Sequence, residues 1–195
     1  MVIVAPLERG LLTPAEYLLR EAKAEIRSEY EPGQIIAMSG GSFRHVRITS
    51  NLNTEMGLAT RGKLCQYLGS ELKVRIANGP RYFYPDGTIA CPPNIVDEKN
   101  GAIDNPKVIF EVLSPGTEAR DRGDKFFAYI GVESVEQIVL IASDRQKVDV
   151  WSRSGDGWKP EVFTEGILLL RSVGFELSLD DLYSNVVFEE TATED

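Results

Sequence analysis

Histidine is nearly absent from this sequence, with His45 the single example among 195 residues. A zinc site built from histidine and cysteine needs several such ligands, so the composition excludes it, together with any two-histidine metal motif. The two cysteines, Cys65 and Cys91, lie far apart and form no C-x-x-C motif. We expect both to be reduced, mostly buried thiols of a cytoplasmic protein.

Long apolar runs and an excess of basic residues are also missing. The longest runs, such as Ile138 to Ala142, are far shorter than the ~20 residues that span a bilayer, and no secretory signal is recognisable. Lys and Arg number 21 against 30 Asp and Glu, a net charge of −9. This charge argues against non-specific coating of nucleic acid and predicts weak, salt-sensitive DNA binding. It does not exclude a local cation-lined cleft, and abundant carboxylates suit a hard divalent cation.

The rest of the composition is that of an ordinary globular protein, with 43% apolar and 26% charged residues. A chain of this length forms one domain by default, and no repeat or linker divides it. We therefore predict a single α/β domain over residues 1–195. Its core covers about 13–183, and an acidic tail at about 189–195 is expected to fray.

Capping signals and apolar spacing place the helices. A capping box at Thr13, with Pro14 at the first helical position, predicts a helix over about 14–27. Ser42 caps a second predicted helix over about 43–60, whose apolar stripe follows three-to-four spacing. Two further helices are predicted over about 117–130 and 178–181.

Alternating and fully apolar segments place the strands. Two short extended segments are predicted on either side of Pro32-Gly33. Residues 92–106 are predicted to be loop. Asn78-Gly79 supplies a hairpin turn between the third and fourth predicted strands. The predicted strands cover residues 34–38, 64–68, 71–76, 81–91, 107–114, 137–142, 147–151, 158–164 and 167–170.

Two carboxylates in predicted strands are unusual. Glu111 interrupts an apolar strand, where an ionised carboxylate needs a cation, a proton or water at an open cleft, unless it lies close enough to the strand end to reach solvent. Asp86 belongs to Tyr84-Pro85-Asp86-Gly87, which is either a turn or part of a continuous strand over 81–91. Side chains on neighbouring strands lie about 4.5–5.5 Å apart, close enough for two carboxylates to hold one Mg²⁺.

Six short motifs follow one another along the chain. They are Glu29-Tyr30-x-x-Gly33-x-Ile35, His45 with Asn51-Leu52, Lys73-Val74-Arg75, Tyr84-Pro85-Asp86, Glu111-Val112-Leu113-Ser114-Pro115 and Asp121-Arg122-Gly123-x-Lys125. In this order they resemble the Uma-two (Uma2) family of restriction-endonuclease-like proteins, a branch of the PD-(D/E)XK nuclease superfamily. The resemblance spans about 13–183 and implies a four-stranded mixed core sheet flanked by helices, with additional β-hairpins.

The resemblance also implies a site and a reaction. Asp86 and Glu111 would bind Mg²⁺ or Mn²⁺ from adjacent strands, for metal-assisted hydrolysis of DNA phosphodiester bonds. Glu29, at the end of the first predicted helix, would be an accessory acid for a second metal or a water. Otherwise it is an ordinary exposed glutamate. Because a one-site enzyme usually needs two copies to cut both strands, we expect a homodimer.

The sequence departs from the superfamily pattern at Leu113, where a lysine is expected two residues after Glu111. That lysine stabilises negative charge at the reacting phosphate. Lys125, from the following helix, is the replacement we favour, and Lys73, on the neighbouring predicted strand, is the second choice. Without such a role, Lys125 forms a surface pair with Asp121 and Lys73 lies on a solvated strand face.

Three weaker candidates complete the set of site residues. His45 lies on a helical stripe and is most simply a structural histidine. The resemblance instead makes His45 a candidate substrate-facing residue. Gln34 and Arg122 are two further candidates for contact with the substrate. We therefore predict a metal-dependent endonuclease that acts on DNA and has no membrane segment. The alternatives are a nuclease-fold module that binds nucleic acid or protein without catalysis, with Leu113 as the trace of that loss, and a nucleotide- or RNA-directed phosphodiesterase.

Overall fold

The computed structural model describes residues 12–38, 40–76 and 80–188. The predicted turn at Asn78-Gly79 and the predicted acidic tail lie outside these ranges. Within them, no helix has both the length and the apolar character that crossing a membrane requires.

The first helix, α1 (Pro14–Glu21), begins where the sequence predicts, after the capping box at Thr13. Its predicted extension to residue 27 is wrong. The Ser28 N–H donates to the side chain of the last helical residue at 2.9 Å, and the chain then enters strand β1 (Ser28–Glu31). Glu29 consequently lies in a strand and not at a helix end.

The predicted hairpin and the predicted second helix follow. Strand β2 (Gln34–Ala37) pairs with β1 across a turn in which Gly33 has φ of +86°, a conformation that glycine adopts without steric cost. Helix α2 (Phe43–Thr60) has the predicted bounds, and the Ser42 hydroxyl caps it by accepting from the His45 N–H. Its buried stripe consists of Ile48, Leu52, Met56 and Thr60.

The remaining elements match most of the predicted segments. The strands are β3 (Gln66–Gly69), β4 (Lys73–Ile76), β5 (Arg81–Phe83), β6 (Gly87–Ala90), β7 (Ile95–Asp97), β8 (Ala102–Ile103), β9 (Val108–Leu113), β10 (Gln137–Ala142), β11 (Val148–Ser154), β12 (Gly157–Phe163), β13 (Ile167–Leu170) and β14 (Phe175–Ser178). The helices are α3 (Glu118–Arg120), α4 (Phe126–Ile130) and α5 (Leu179–Leu182). Strands β7 and β8 correct the prediction that residues 92–106 are loop, and β14 was not predicted.

Within the described ranges, the strands form two six-stranded sheets, in the orders β2-β1-β5-β4-β8-β7 and β12-β11-β10-β9-β6-β3, and β13 pairs with β14 separately. The second sheet is mixed, because β9 and β10 run parallel while β6 and β11 run antiparallel to their neighbours. The predicted α/β fold with a mixed core sheet flanked by helices is therefore present, with six strands in that sheet where the resemblance implied four.

Strand β9 lies inside the second sheet and is buried on both faces. Val108, Phe110 and Val112 belong to the core that contains the buried stripe of α2. Ile109 and Leu113 face a second core, which also includes side chains of β4, β5 and α4. Because side chains alternate along a strand, Glu111 shares the face of Ile109 and Leu113, toward the helical segment that follows β9.

That helical segment is irregular in its middle. A wide, π-type turn over residues 121–125 joins α3 to α4, and Gly123 departs there from helical backbone angles. Asp121 and Lys125 are buried, whereas Arg122 is only partly buried. The irregular turn thus brings an acidic and a basic side chain to the core side of the segment.

Residues 84–86 connect the two sheets, which corrects the prediction of one continuous strand over 81–91. Strand β5 pairs with β1 and β4, whereas β6 pairs with β3 and β9. Pro85 has no N–H with which to continue a ladder, so the first sheet ends before it. Asp86 lies directly before β6 and not within a strand. Gly87 follows, and a Cβ at this position would overlap the Tyr67 hydroxyl.

Cys65 and Cys91 form a disulfide, which corrects the expectation of two reduced thiols. Strands β3 and β6 pair antiparallel with Gln66 opposite Ala90, so the two cysteines lie opposite each other just beyond the paired residues. Their Cα atoms are 4.0 Å apart. Only the register of this strand pair reveals the bond, and the spacing of the cysteines in the sequence does not.

Removing the disulfide is expected to lower the free energy of unfolding by about 3 kcal/mol, because the bond closes a loop of about 26 residues in the unfolded chain. Urea unfolding with and without a thiol reductant measures the effect. The Cys65→Ser/Cys91→Ser double variant is the control, because reductant should leave its midpoint unchanged. Equal midpoints for the unsubstituted protein in both conditions would contradict the prediction.

Candidate active site

A cleft of about 120 Å³ lies where the two sheets, α2 and the helical segment after β9 come together. Its lining combines residues of β1 and β2, the start of α2, the connection at 84–86, the end of β9 and residues 117–125. More negative than positive groups face it. The carboxylates are Glu29, Asp86, Glu111 and Asp121, and the basic groups are Arg120, Lys125 and His45.

Asp86 reaches the cleft from the connection between the sheets. Because Gly87 pairs with Phe110 on β9, Asp86 follows in register opposite Glu111. Asp86 Oδ2 accepts the Val112 N–H at 2.7 Å and lies 3.4 Å from His45 Nε2. Among the described residues, none donates a hydrogen bond to Oδ1. One oxygen therefore anchors the side chain to β9 and the other remains available.

Glu111 is only 3% exposed and is held through Oε1. Lys125 Nζ lies 2.7 Å from this atom, and the Tyr129 hydroxyl donates to it at 2.7 Å. Burial raises the pKa of Glu111, an effect that the Lys125 ammonium opposes and the carboxylates of Asp121 and Asp86 reinforce. The contacts explain how a carboxylate is tolerated in this apolar strand.

Lys125 places an ammonium group among three carboxylates. Nζ lies 3.1 Å from Glu29 Oε1 and 3.5 Å from Asp121 Oδ1, in addition to its contact with Glu111. Burial alone lowers the pKa of Lys125, but Glu111 and Glu29 outweigh it and hold this pKa well above the ordinary value. Leu113 packs in the apolar core, so the cation at this face of β9 comes from the following helical segment.

Glu29 links the first sheet to this cluster. Its Oε1 accepts the Tyr84 N–H at 3.0 Å, and its Oε2 pairs with Arg120. The same guanidinium reaches Glu31 Oε1 at 2.8 Å. Burial would raise the pKa of Glu29, but Lys125 and Arg120 hold it below the usual value.

His45 lines the cleft beside Asp86. Burial lowers the pKa of His45, but the hydrogen bond with Asp86 and the negative charges of Asp86 and Asp121 together outweigh burial and raise this pKa above the ordinary value. The imidazole packs against Gly41, where an added Cβ would lie 2.6 Å from Nδ1. Glycine at this position lets the chain before α2 approach the ring closely.

The structure does not bring three other sequence candidates into the cleft. Lys73 is buried outside the lining, with Nζ 3.0 Å from the Tyr84 hydroxyl. It thus lies neither in the cleft nor on the solvated strand face proposed as its other role. Gln34 is exposed at the hairpin turn. Arg122 lies on the outer side of its segment, with Nη2 2.8 Å from Asp149 Oδ2.

Sequence reasoning gave no site role to Arg120, Asp121 or Tyr129. Tyr129 is fully buried, and its hydroxyl donates a hydrogen bond to Glu111. Residues 121, 125, 128, 129 and 132 are all buried and follow helical three-to-four spacing. Two positions of this stripe, 121 and 125, carry charged residues, and this pattern in the sequence could have predicted buried ion pairs.

The donor groups fit a hard divalent cation. Mg²⁺ is commonly bound through one or two carboxylates and keeps several waters. Asp86 Oδ1 and Glu111 Oε2 are oxygen donors of this kind, and within the described ranges neither accepts a hydrogen bond. No group of three or more His, Cys, Asp and Glu side chains in those ranges is arranged to hold a metal. Asp86 and Glu111 offer two carboxylate oxygens, a donor set that suits a cation that keeps several of its waters.

The fold is shared with a protein of known crystal structure. It is similar to the crystal structure described as "a putative nuclease belonging to DUF820" from Anabaena variabilis ATCC 29413, with a TM-score of 0.71 and 24% sequence identity. The likeness covers 90% of this chain and 99% of that one. The two proteins therefore share a fold over nearly their whole lengths.

The family follows from the sequence. Residues 14–180 match the Uma2 family model, described as "Putative restriction endonuclease", and the chain belongs to this family. Two Synechocystis sp. (strain ATCC 27184 / PCC 6803 / Kazusa) proteins are similar. Uncharacterized protein slr1290 is 35% identical over 91% of this chain and 94% of its own length. Uncharacterized protein sll1609 is 34% identical over 80% of this chain and 88% of its own length.

Proposed function

We propose that this protein is a Mg²⁺- or Mn²⁺-dependent endonuclease that hydrolyses phosphodiester bonds of DNA. The observation that carries the proposal is the meeting of Asp86, Glu111 and Lys125 in one cleft. Glu111 lies in β9, Asp86 lies opposite it just before β6, and the ammonium of Lys125 lies 2.7 Å from Glu111 Oε1. Membership in a restriction-endonuclease-like family supports the same chemistry.

Asp86 and Glu111 are the residues that would hold the metal ion. When bound, such an ion polarises a phosphoryl oxygen and lowers the pKa of a coordinated water. The chemistry of the lining agrees with this requirement, because the cleft offers carboxylate oxygens, which a hard divalent cation prefers. Glu111, whose pKa burial raises, would be held in its ionised form by such a cation.

The other side chains prepare the site for a negatively charged substrate. Lys125 supplies fixed positive charge where negative charge grows on the phosphate. Glu29 holds Lys125 in position and is the proposed accessory acid, while Arg120 keeps Glu29 ionised. His45 contacts Asp86 and faces the cleft, where it is placed to meet the substrate.

Two alternatives share this fold. A binding module without catalysis would fit a Glu111 paired with an arginine in a closed cavity, but Glu111 pairs with Lys125 beside an open cleft. A nucleotide- or RNA-directed phosphodiesterase would use the same two carboxylates. We favour DNA hydrolysis in the cytoplasm by a homodimer, since one site per chain requires two copies for a double-strand cut.

Incubation of the purified protein with supercoiled plasmid and Mn²⁺ or Mg²⁺ tests the proposal. We expect nicked and linear products that chelation of the metal abolishes, and a rate at least 100-fold lower for Asp86→Ala. Asp144→Ala, which removes a carboxylate whose side chain is 54% exposed, is the matched control and should cleave normally.

Three results would count against the proposal. Cleavage that survives Asp86→Ala would come from another site or a contaminant. Cleavage of RNA in place of DNA would favour the phosphodiesterase alternative. Binding of DNA with no cleavage in either metal would favour the module without catalysis.

A further inference from the structure

Among the residues that the structure describes, the groups that hold Glu111 contact one of its two carboxylate oxygens. Oε1 receives the Lys125 ammonium at 2.7 Å and the Tyr129 hydroxyl at 2.7 Å. A carboxylate oxygen offers two lone pairs, so these two donors saturate Oε1. Over the part of the chain that the structure describes, no hydrogen bond reaches Oε2. The glutamate can therefore present one free oxygen to a cation.

Tyr129 is firmly held while it makes this contact. The residue is fully buried in α4, and its ring packs edge to face against Phe83 with centroids 5.7 Å apart. Its neighbours in this core are mostly apolar, and a buried hydroxyl among such groups needs a hydrogen-bond partner. Glu111 is that partner. Moving the hydroxyl away from Oε1 would leave it without one, so the contact should persist when a cation binds.

We propose that Tyr129 sets the metal selectivity of the site by restricting Glu111 to single-oxygen binding, which favours Mg²⁺ over Ca²⁺. The inference rests on the proposed function, because it takes Asp86 and Glu111 as the metal ligands. Mg²⁺ demands near-octahedral geometry with few protein ligands, whereas Ca²⁺ takes six to eight oxygens and often both oxygens of a carboxylate. Tyr129 acts through Glu111 and is a positioning residue.

Tyr129→Phe isolates the hydroxyl, because phenylalanine keeps the ring that packs against Phe83. Lys125 remains as the charged partner of Glu111, so the carboxylate stays compensated. The matched control is Tyr183→Phe. Tyr183 is also buried, but its hydroxyl donates to the main-chain oxygens of Ala142 at 3.0 Å and Lys147 at 2.8 Å, and it does not line the cleft.

Isothermal titration of each protein with Mg²⁺ and separately with Ca²⁺ is the test, with near-ultraviolet circular dichroism as the check on folding. We expect the ratio of the Ca²⁺ Kd to the Mg²⁺ Kd to fall about tenfold in Tyr129→Phe, the lower end of the effect of residues that orient metal ligands. The ratio should not change in Tyr183→Phe. Asp86→Ala should abolish the binding that is measured.

The outcomes separate this inference from the proposed function. An unchanged ratio in Tyr129→Phe, with metal binding that still depends on Asp86, overturns the selectivity role and leaves the endonuclease proposal intact. An equal change in Tyr183→Phe also overturns it, because a loss of packing would then explain both variants. If the unsubstituted protein binds neither ion at Asp86, the metal site itself is wrong, and the proposed function fails with it.

Discussion

Replacing Lys125 by methionine is expected to lower the free energy of unfolding by about 3–5 kcal/mol, the usual cost of breaking a buried ion pair from one side. Lys125 is 4% exposed and pairs with Glu111 and Glu29, each 3% exposed. Methionine keeps most of the length of the side chain but removes the positive charge that compensates the buried carboxylates. Urea unfolding at neutral pH, followed by circular dichroism, measures the loss.

Lys107→Met is the matched control for this experiment. Lys107 also pairs with a glutamate, with Nζ 3.1 Å from Glu136 Oε1, but their side chains are 30% and 46% exposed. An exposed pair of this kind contributes about 0–1 kcal/mol, so the control should unfold almost as the unsubstituted protein does. Equal losses in the two variants would show that the burial of Lys125 has no special role.

Moving the lysine to its superfamily position is expected to restore cleavage that its removal abolishes. Lys125→Leu should lower the plasmid cleavage rate by about 100-fold or more, the usual effect of removing one group that stabilises transition-state charge. Adding Leu113→Lys should recover at least tenfold of that loss. Residue 113 lies two positions after Glu111 on the same face of β9, where Lys125 Nζ now lies.

The uncharged control for the relocation is Lys125→Leu combined with Leu113→Met. It changes the same two positions and supplies no ammonium, so its rate should stay at the level of Lys125→Leu. Circular dichroism establishes that each variant is folded before its rate is compared. Full activity in Lys125→Leu would remove this residue from the mechanism, and equal recovery with methionine would assign the gain to packing.

Local signals in the sequence account for the parts of the fold that were predicted well. Helix α2 has its predicted bounds because Ser42 caps it and its apolar stripe keeps helical spacing over its length. Strand β9 was predicted because apolar residues occupy both of its faces, as in the interior of a sheet. In each case the information lies within the segment itself, so tertiary contacts were not needed to find it.

Long-range contacts explain the parts that were missed. Helix α1 ends early because its last residue binds the backbone of Ser28, which then pairs with β2. The strand predicted over 81–91 divides because its two ends pair with different sheets. The disulfide depends on the register of β3 with β6. The neighbouring residues in the sequence do not show which distant segment each of these elements contacts.

The candidate site also contains residues that the sequence predicted and contacts that it did not. Asp86, Glu111, Glu29, Lys125 and His45 were all singled out from the sequence, and the structure brings them to one cleft. Of the two candidate lysines, Lys125 lines the cleft and Lys73 does not, because the helical stripe turns residue 125 inward. The hydroxyl of Tyr129 was missed, because a buried aromatic residue gives no sequence signal for the polar contact at its tip.

The position of Asp86 has a mechanical consequence. Glu29 belongs to one sheet, Glu111 to the other, and Asp86 to the short connection between them. Because Asp86 is anchored to β9, relative movement of the two sheets by a fraction of a bond length would mainly alter the distances from Glu29 to Glu111 and Asp86, while leaving the helices and strands intact. Conditions that only loosen the contact between the two sheets should therefore abolish the proposed cleavage activity before the secondary structure unfolds.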